Sequence, residues 1–265
     1  MQANLLEQIK EIVCAAGELI RDIDEITELK HKEGPANFVT KYDSMVQAYL
    51  IKHLSAVLPE ASFLGEEDGL SERTVGDGYT FIIDPIDGTT NFICGFLFSA
   101  ISVGLSYQQQ IVLSVVYNPF RQELFYAQRG KGAFLNGKRL TMQERPLSQG
   151  VVYFDATPYN PELRDASFAL AKEVTYHTMD LRELGSAALG ICYVACNRCV
   201  AYVSPRLSVW DYAGASLIVE EAGGILSDLN GRDLRLRTKT TVLAATLSGQ
   251  KKLLELAETY ADAFI

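Results

Sequence analysis

Apolar residues recur three and four positions apart near the start of the chain, which predicts an amphipathic helix over residues 3–28. A polar segment, HKEGPAN, follows this helix and is expected to form a loop. A second helix is predicted from about Asp43 to Leu58, because Pro59 ends it. The first part of the chain therefore supplies two helices.

The middle of the chain has the patterns typical of strands. Phe81-Ile82-Ile83 predicts a short buried strand that ends at Asp84-Pro85, because proline cannot donate a hydrogen bond to a sheet. Apolar runs continue through residues 98–135. Asn136-Gly137 is typical of a tight hairpin, since both residues tolerate positive φ. We therefore expect a block rich in strands.

A polar stretch at residues 141–150, which contains Pro146, is the best candidate for a boundary. Beyond it strands and helices alternate, which is typical of an α/β arrangement. Strands are predicted at 151–154, 175–178, 200–203 and 225–227, and helices near 161–173, 185–197, 210–222 and 250–263. The chain is thus divided into an N-terminal part, 1–146, and a C-terminal part, 147–265.

Composition narrows the class of protein. The chain has 265 residues, 48% of them hydrophobic and 22% charged, which is ordinary for a globular protein. A net charge of −9 disfavours nucleic acid as a partner, and an anionic substrate would need a bound divalent cation. Residues 1–25 lack the apolar centre of a secretory signal, and no apolar run is long enough to span a bilayer. We therefore expect a cytoplasmic protein with no membrane partner.

The five cysteines are an odd number, so a disulfide framework is not expected. Cys192, Cys196 and Cys199 are spaced like metal ligands, but structural zinc takes four nitrogen or sulfur ligands, and neither a histidine nor a fourth cysteine lies near them in the sequence. Buried free thiols on a helix of small residues are the simpler interpretation. The three histidines form no zinc-hydrolase motif, and the chain has neither a nucleophile elbow nor a P-loop.

The segment from Asp84 to Phe92, DPIDGTTNF, carries the most informative chemistry. It places two aspartates three residues apart, just past a buried strand, and Gly88 permits a sharp turn after them. The loop can therefore aim both carboxylates at one point, where the free N–H groups of the next turn face an anion. Carboxylate oxygens bind Mg²⁺, which in turn neutralises a phosphate. An ordinary polar turn, with Asp87 as a helix N-cap, is the alternative.

Other acidic residues could join these two aspartates. Glu66 and Glu67 follow an apolar strand, although a solvated charge run would explain Glu67 equally well. Asp211 follows the only tryptophan of the chain and has capping-box spacing from a serine, so it could simply stabilise a helix. Asp43 could be the N-cap of the second helix, or it could accept a hydrogen bond from a catalytic threonine.

Together these residues form motifs that resemble the inositol monophosphatase family, a group of Mg²⁺-dependent and Li⁺-sensitive phosphatases. The motifs, between Lys32 and Asp228, follow the order of the family: N-F-V-T-x-x-D, G-E-E, D-P-I-D-G-T-T-N-F, G-S-A-A and W-D-x-A-G-A. Five ordered motifs are far more specific than any one of them. The resemblance implies an α/β fold, a layered αβαβα sandwich whose N-terminal part contains a mostly antiparallel sheet. It also implies a homodimer.

The resemblance further implies two to three Mg²⁺ ions. By this resemblance, Glu66, Asp84 and the carbonyl of Ile86 would hold the first ion. Asp84, Asp87 and Asp211 would hold the second. A third, weaker ion would lie near Glu66 and Glu67, with Lys32 and Asn37 also close to the outer metals. Two metal ions roughly 3.5–4 Å apart can activate a water molecule and stabilise the leaving oxygen.

In the family pattern, Asp43 and Thr89 orient and deprotonate the attacking water, and Glu66 assists them. The backbone N–H groups of Gly88 and Thr89 bind phosphate. The residues implied to bind the substrate are Asp87, Gly88, Thr89, Ser186, Ala187, Ser204, Arg206 and Asp211. The implied activity is hydrolysis of inositol monophosphate or a similar small sugar phosphate.

Two departures from the family pattern leave the substrate open. Asn37 stands where many members have aspartate. Ser204 stands six residues before Trp-Asp, where strict inositol phosphatases tend to have a glutamate that binds substrate hydroxyls. Arg206 could favour a second anionic group, or it could be a surface residue or a dimer contact. A fructose-1,6-bisphosphatase-like activity, a nucleotide 3′-phosphatase-like activity and a metal-binding regulatory module are the alternatives.

Overall fold

A computed structural model of the chain describes residues 2–21, 23, 29–31, 38–68, 75–157 and 160–264. Its α-helices in these ranges are α1 (Gln2–Arg21), α2 (Lys41–Val57), α3 (Thr89–Cys94), α4 (Pro161–Thr175), α5 (Ala187–Ala195), α6 (Val209–Ala222) and α7 (Leu247–Ala257). Short 3₁₀ turns lie at Glu66–Asp68, Leu147–Gln149 and Glu258–Phe264. Within the described ranges, none of the helices combines the length and the apolar character needed to cross a bilayer.

The strands form two large sheets and one short ribbon. The strands are β1 (Leu29–His31), β2 (Phe38–Thr40), β3 (Ser62–Gly65), β4 (Thr80–Asp87), β5 (Ala100–Tyr107), β6 (Gln110–Asn118), β7 (Glu123–Gln128), β8 (Gly132–Leu135), β9 (Lys138–Arg139), β10 (Val151–Phe154), β11 (Asp180–Arg182), β12 (Ala201–Ser208), β13 (Ile225–Ser227) and β14 (Lys239–Ala245). β1 and β2 pair antiparallel.

The first large sheet has the order β3-β4-β5-β6-β7-β8-β9 and is antiparallel except for the β3–β4 pair. The second has the order β11-β10-β12-β14-β13, and β10 is parallel to both of its neighbours. β14 is antiparallel to β12 and β13. The carboxyl ends of β10 and β12 therefore lie at the same edge of the second sheet.

The elements stack in five layers. α1 and α2 pack on one face of the first sheet, and α5 and α6 lie between the two sheets. α4 and α7 cover the outer face of the second sheet. This order confirms the predicted αβαβα sandwich. The division at residue 146 remains a prediction. α6, which belongs to the C-terminal part, packs on strands of both sheets, so the two predicted parts share a layer.

α6 lies in the middle layer because it is apolar on all sides. Residues 212–219 of this helix are all buried. Small residues let its backbone approach β5 closely: a Cβ added at Gly104 would lie 3.1 Å from the carbonyl of Ala213, and one added at Gly214 would lie 3.0 Å from the nitrogen of Val103. This close packing fixes the start of α6, which carries Asp211.

Several predicted elements differ from the structure. α1 ends at Arg21 and Ile23 is not helical, so the predicted helix is shorter; its predicted end at 24–28 and most of the predicted loop HKEGPAN lie outside the described residues. The N-cap of α2 is Thr40, not Asp43, because the Thr40 hydroxyl accepts from the Tyr42 nitrogen at 3.1 Å. The strand predicted at 175–178 is wrong, since α4 runs through the start of that segment and β11 follows it. β14 was not predicted.

The hairpin prediction is confirmed. Asn136 and Gly137 join β8 to β9, with φ angles of +48° and +81°.

Candidate active site

Residues from several parts of the fold line one pocket of about 360 Å³. They come from the ends of β3 and β4, the segments after β10 and before α5, and the junction of β12 with α6. Of the residues predicted from the sequence, those that line the pocket are Glu66, Asp84, Ile86, Asp87, Gly88, Thr89, Ala187, Arg206 and Asp211. The structure therefore brings the separate acidic motifs to one place.

Parallel pairing places Glu66 beside Asp84. β3 runs parallel to β4, and its last residue, Gly65, is opposite Ile83. The next residues of the two strands, Glu66 and Asp84, therefore follow at the same edge of the sheet. The sequence predicted that both acids end apolar strands. β3 does end at Gly65, but β4 continues past Asp84 and Pro85 to Asp87, because a bulge accommodates the proline. The pairing of the two strands makes the acids neighbours.

A β-bulge explains how two aspartates three residues apart face the same pocket. In a regular strand they would lie on opposite faces. Here Asp84 is opposite Ser102 and Asp87 is opposite Ala100, so β4 contains one residue more than β5 over this interval. The extra residue reverses the alternation of side chains. Pro85 suits this position because it has no N–H group to donate to the sheet.

Gly88 and Thr89 form the turn that follows the two aspartates. Gly88 has φ +89°, and a Cβ added there would lie 2.7 Å from the Gly185 carbonyl, so a side chain does not fit. The Thr89 hydroxyl lies 3.0 Å from the Ile86 carbonyl and 3.3 Å from Asp43 Oδ1. It has one proton and can donate to either acceptor.

Asp43 is fully buried behind Thr89 and does not line the pocket. Its Oδ2 accepts hydrogen bonds from the backbone nitrogen of Thr40 at 2.7 Å and from the Thr40 hydroxyl at 2.6 Å. These bonds form a capping box at the start of α2 and hold the carboxylate in place. Asp43 therefore has both a structural role and contact with the pocket threonine.

Asp87 anchors the start of α5. Its carboxylate accepts hydrogen bonds from the Ala187 nitrogen at 3.1 Å, from the Ala188 nitrogen at 2.9 Å and from the Ser186 hydroxyl. Burial raises the pKa of Asp87 to about 7, although these hydrogen bonds oppose the rise. Ser186 is buried and does not line the pocket, so its hydroxyl acts through Asp87.

Asp211 is held in a similar way at the start of α6. Ser208 is the N-cap, and its nitrogen donates to Asp211 Oδ2 at 2.7 Å, which completes a capping box. Burial raises the pKa of Asp211 well above its ordinary value, and the carboxylate of Glu66 raises it further. The capping role and a place in the pocket are therefore compatible.

The negative charges of the acidic residues at the pocket favour a bound cation. Asp84 is 2% exposed, and burial raises the pKa of its carboxyl well above the ordinary value. The carboxylates of Glu66, Asp87, Asp211 and Asp43, in that order, raise it further. Such crowding of buried acids is unfavourable unless a positive charge lies among them. Carboxylate and carbonyl oxygens are the ligands that Mg²⁺ accepts.

The acidic residues of the pocket do not form a preassembled set of three metal ligands within the described residues. In the described ranges, no three carboxylate, imidazole or thiol groups have the mutual spacing of bound metal ligands. The fit of these residues to a metal rests on their oxygen donors and on the burial of Asp84 and Asp87.

The family model of the inositol monophosphatase family matches residues 1–262 of the chain. The chain belongs to this family.

Individual relatives agree with that assignment. Inositol monophosphatase 2 of Solanum lycopersicum is 37% identical over 233 residues, which cover 84% of this chain and 87% of that protein. Nus factor SuhB of Haemophilus influenzae is 36% identical over 225 residues, which cover 84% and 82%. The crystal structure of SaIMPase-II bound to inositol monophosphate has a TM-score of 0.83 and 26% identity, covering 98% and 96%. This family member is therefore a phosphatase with a small phosphorylated substrate, and its family is metal-dependent.

Other predicted residues of this family member lie outside the pocket or outside the described ranges. Ser204 is fully buried and does not line the pocket. Glu67 does not line it either, and its backbone nitrogen donates to Gln47 Oε1 at 3.1 Å. Lys32 and Asn37 lie outside the described residues.

Arg206 does line the pocket, but its guanidinium is already engaged. It forms an ion pair with Glu162 at 2.8 Å and a 3.3 Å hydrogen bond to Asn160 Oδ1. Its charge is therefore partly neutralised at the pocket wall.

Sequence reasoning missed further pocket residues, which are Thr90, Asp155, Thr157, Asn160, Glu183, Gly185, Leu207, Ser208, Trp210 and Lys239. A signal for Asp155 was present: it directly follows the buried apolar strand β10, just as Asp84 follows an apolar run in β4. Acids at the carboxyl ends of parallel strands are frequent site residues.

The five cysteines are unpaired thiols, and Cys192 and Cys199 are buried. Burial raises the pKa of Cys199 to about 11 and also raises that of Cys192. The structure therefore gives Cys192 and Cys199 the character of core residues.

Proposed function

We propose that this protein is a Mg²⁺-dependent phosphomonoesterase that hydrolyses inositol monophosphate or a similar small polyol phosphate. The crowding of four acidic residues at one pocket, Glu66, Asp84, Asp87 and Asp211, with Asp43 buried behind it, is the observation that supports it most strongly. Inositol monophosphate is bound in the related SaIMPase-II structure. Two relatives, one of them named an inositol monophosphatase, are more than 30% identical over most of the chain.

Each acidic residue has a place in this proposal. Glu66, Asp84, Asp87, Asp211 and the Ile86 carbonyl would hold two to three Mg²⁺ ions. Bound there, the metal would neutralise the phosphate and lower the pKa of a water molecule. Asp84 and Asp87 suit this role because the bulge in β4 presents both on one side of the sheet.

Thr89 and Asp43 would position the attacking water. The Thr89 hydroxyl can donate its proton to Asp43 Oδ1, which leaves its oxygen free to accept a proton from water. Asp43 is held in place by Thr40, so the pair is oriented before substrate binds. The N–H groups of Gly88 and Thr89, at the start of α3, would donate to phosphate oxygens.

The test is phosphate release with and without Mg²⁺ by the wild type and by Asp84→Asn. We expect activity that depends on Mg²⁺ and falls at least about 100-fold in the variant, because each buried carboxylate acts directly on the charged centre. Asp77→Asn is the matched control, since Asp77 is exposed and lies in the turn before β4. It should retain wild-type activity.

Thermal unfolding gives a second readout. Mg²⁺ should raise the Tm of the wild type and of Asp77→Asn, and should raise that of Asp84→Asn much less. Full Mg²⁺-dependent turnover by Asp84→Asn would contradict the proposed site.

Alternative substrates belong to the same experiment. Arg206 and Lys239 line the pocket, so a sugar bisphosphate and a nucleotide are the substrates to compare with inositol monophosphate. The Haemophilus relative is named a Nus factor, so a metal-binding interaction module is the alternative from another class. Binding of Mg²⁺ without turnover of any substrate would favour that module. A homodimer, lithium sensitivity and a cytoplasmic location accompany the proposal as expectations from the family.

A further inference from the structure

The pocket has a second group of charged residues away from the metal ligands. Asp155 and Glu183 supply two acids there, and Arg206 and Lys239 supply two bases. Glu162 pairs with Arg206 from outside the pocket lining, so acidic residues outnumber basic ones in this group. A second phosphate group, with its charge of about −1.5 to −2, would therefore gain little here.

The register of the second sheet places Asp155 in front of Ser204. Phe154 is opposite Val203, and the nitrogen of Asp155 donates to the carbonyl of Val203 at 2.8 Å. The Ser204 hydroxyl lies 3.4 Å from Asp155 Oδ2 and 3.3 Å from the carbonyl of Arg206. Since Ser204 is fully buried and Asp155 lines the pocket, a substrate at this end meets the carboxylate of Asp155.

The carboxylate of Asp155 retains capacity to accept hydrogen bonds. Among the described residues, it accepts one hydrogen bond of ordinary length, from the Thr157 nitrogen to Oδ1 at 3.0 Å. The hydroxyls of Tyr202 and Ser204 both lie 3.4 Å from Oδ2, beyond the usual 2.7–2.8 Å for such bonds. An ionised carboxylate has about four acceptor sites, so a ligand hydroxyl can bind without displacing a strong bond.

Thr157 adds an independent observation at the same place. It lines the pocket and is 3% exposed, and its hydroxyl has no hydrogen-bond partner in the part of the chain that the structure describes. Its φ of +47° is unfavourable for a β-branched residue. Unsatisfied buried polar groups and strained backbone are found together at ligand sites.

We propose that Asp155 is a specificity-determining residue, which accepts hydrogen bonds from the hydroxyl groups of a polyol monophosphate and disfavours substrates with a second phosphate. This inference rests on the proposed function and assigns its substrate class. Thr157 would supply a donor beside the same hydroxyl groups.

The experiment compares three substrates: inositol 1-phosphate, fructose 1,6-bisphosphate and para-nitrophenyl phosphate, which has no hydroxyl group for Asp155 to bind. Asp155→Asn keeps the size of the side chain and removes the charge. We expect kcat/KM for inositol 1-phosphate to fall about 10- to 100-fold, mainly through KM, as for loss of a hydrogen bond to a charged group. The value for para-nitrophenyl phosphate should stay within about threefold of wild type, and the bisphosphate should gain relative to inositol 1-phosphate.

Asp165→Asn is the matched control, because it makes the same chemical change at an exposed position on α4 that does not line the pocket, and leaves Asp155 intact. It should change the ratio of kcat/KM between inositol 1-phosphate and para-nitrophenyl phosphate by less than about twofold.

Three outcomes would overturn the assignment of Asp155. They are an equal loss on inositol 1-phosphate and para-nitrophenyl phosphate, no loss on either, and the same selective loss in Asp165→Asn. The first would place Asp155 in the phosphate site or in folding, and the last would show a general effect of charge. A wild-type protein with no Mg²⁺-dependent activity on any of the three substrates would refute the proposed phosphatase function and, with it, the role of Asp155.

Discussion

Replacing Asp155 by asparagine should stabilise the metal-free protein in a way that depends on pH. Burial raises the pKa of this carboxyl from 3.8 to about 6. This value already includes the carboxylate of Glu183, which also raises the pKa, and hydrogen bonds from Thr157, Ser204 and Tyr202, which oppose the rise. A carboxyl with a raised pKa in the folded state holds its proton more tightly there than in the unfolded chain. The free energy of unfolding therefore falls as the pH rises through this interval.

The magnitude follows from the two pKa values. Above pH 7 the carboxyl is ionised in both states, and the difference between 3.8 and about 6 corresponds to about 3 kcal/mol. At pH 4 the carboxyl is protonated in the folded protein and only partly ionised in the unfolded chain, so the cost falls to about 0.5 kcal/mol. Because Asp155 is only partly buried and lines an open pocket, we expect asparagine to gain about 1–3 kcal/mol at pH 8.

Other charged groups face Asp155 and must be constant in the comparison. They are Glu183 before α5, Arg206 on β12, Asp211 on α6 and Lys239 on β14. Each is present in both proteins, so the difference between variant and wild type isolates residue 155 except for its coupling to these groups. A chelator keeps divalent metal out of the site during the measurement.

The assay is urea unfolding of both proteins at pH 4 and pH 8, monitored by the fluorescence of the single tryptophan. The expected result is a more stable variant at pH 8 and nearly equal stabilities at pH 4. A variant that is less stable at pH 8 would refute the reasoning, because it would show that the ionised carboxylate stabilises the fold. A gain of equal size at both pH values would contradict the raised pKa.

Two further predictions concern the positions that hold the site together. Gly214→Ala should lower the free energy of unfolding by about 1–3 kcal/mol, because its Cβ would lie 3.0 Å from the Val103 nitrogen and the gain in helix propensity is at most about 1 kcal/mol. The control is Gly249→Ala in α7, where no backbone atom lies that close to an added Cβ, and it should change the free energy of unfolding by less than about 1 kcal/mol. Equal losses of the two variants in urea unfolding would contradict this account. Ser186→Ala should lower the free energy of unfolding by about 1–3 kcal/mol, because Asp87 loses a side-chain hydrogen bond and α5 loses its N-cap. For the same reason it should raise the Mg²⁺ concentration needed for half-maximal activity. An unchanged Mg²⁺ requirement would show that Ser186 does not position Asp87.

The sequence alone determined the local chemistry of the site. Asp84, Gly88 and Thr89 could be picked out as candidate pocket residues from their near neighbours: an apolar run ahead of the acid, a turn that needs positive φ, and a hydroxyl at the start of a helix. The order of five motifs added the family and therefore the layered fold. The Asn136-Gly137 hairpin was predictable for the same reason, since its φ angles are set by those two residues.

Only the tertiary structure decided which acids meet. Glu66 reaches Asp84 because β3 pairs parallel to β4, and no residue near either acid specifies that pairing. The bulge in β4, visible only against the register of β5, turns Asp87 to the same side as Asp84.

Strand pairing also decided which of Asp155 and Ser204 reaches the pocket, which the sequence did not show. The sequence pointed to position 204, but the pairing of β10 with β12 buries that serine and presents Asp155 to the pocket instead. Which side chain reaches a ligand depends on strand register and on the packing of whole layers. Those contacts join residues far apart in the chain, and neighbouring residues in the sequence do not determine them.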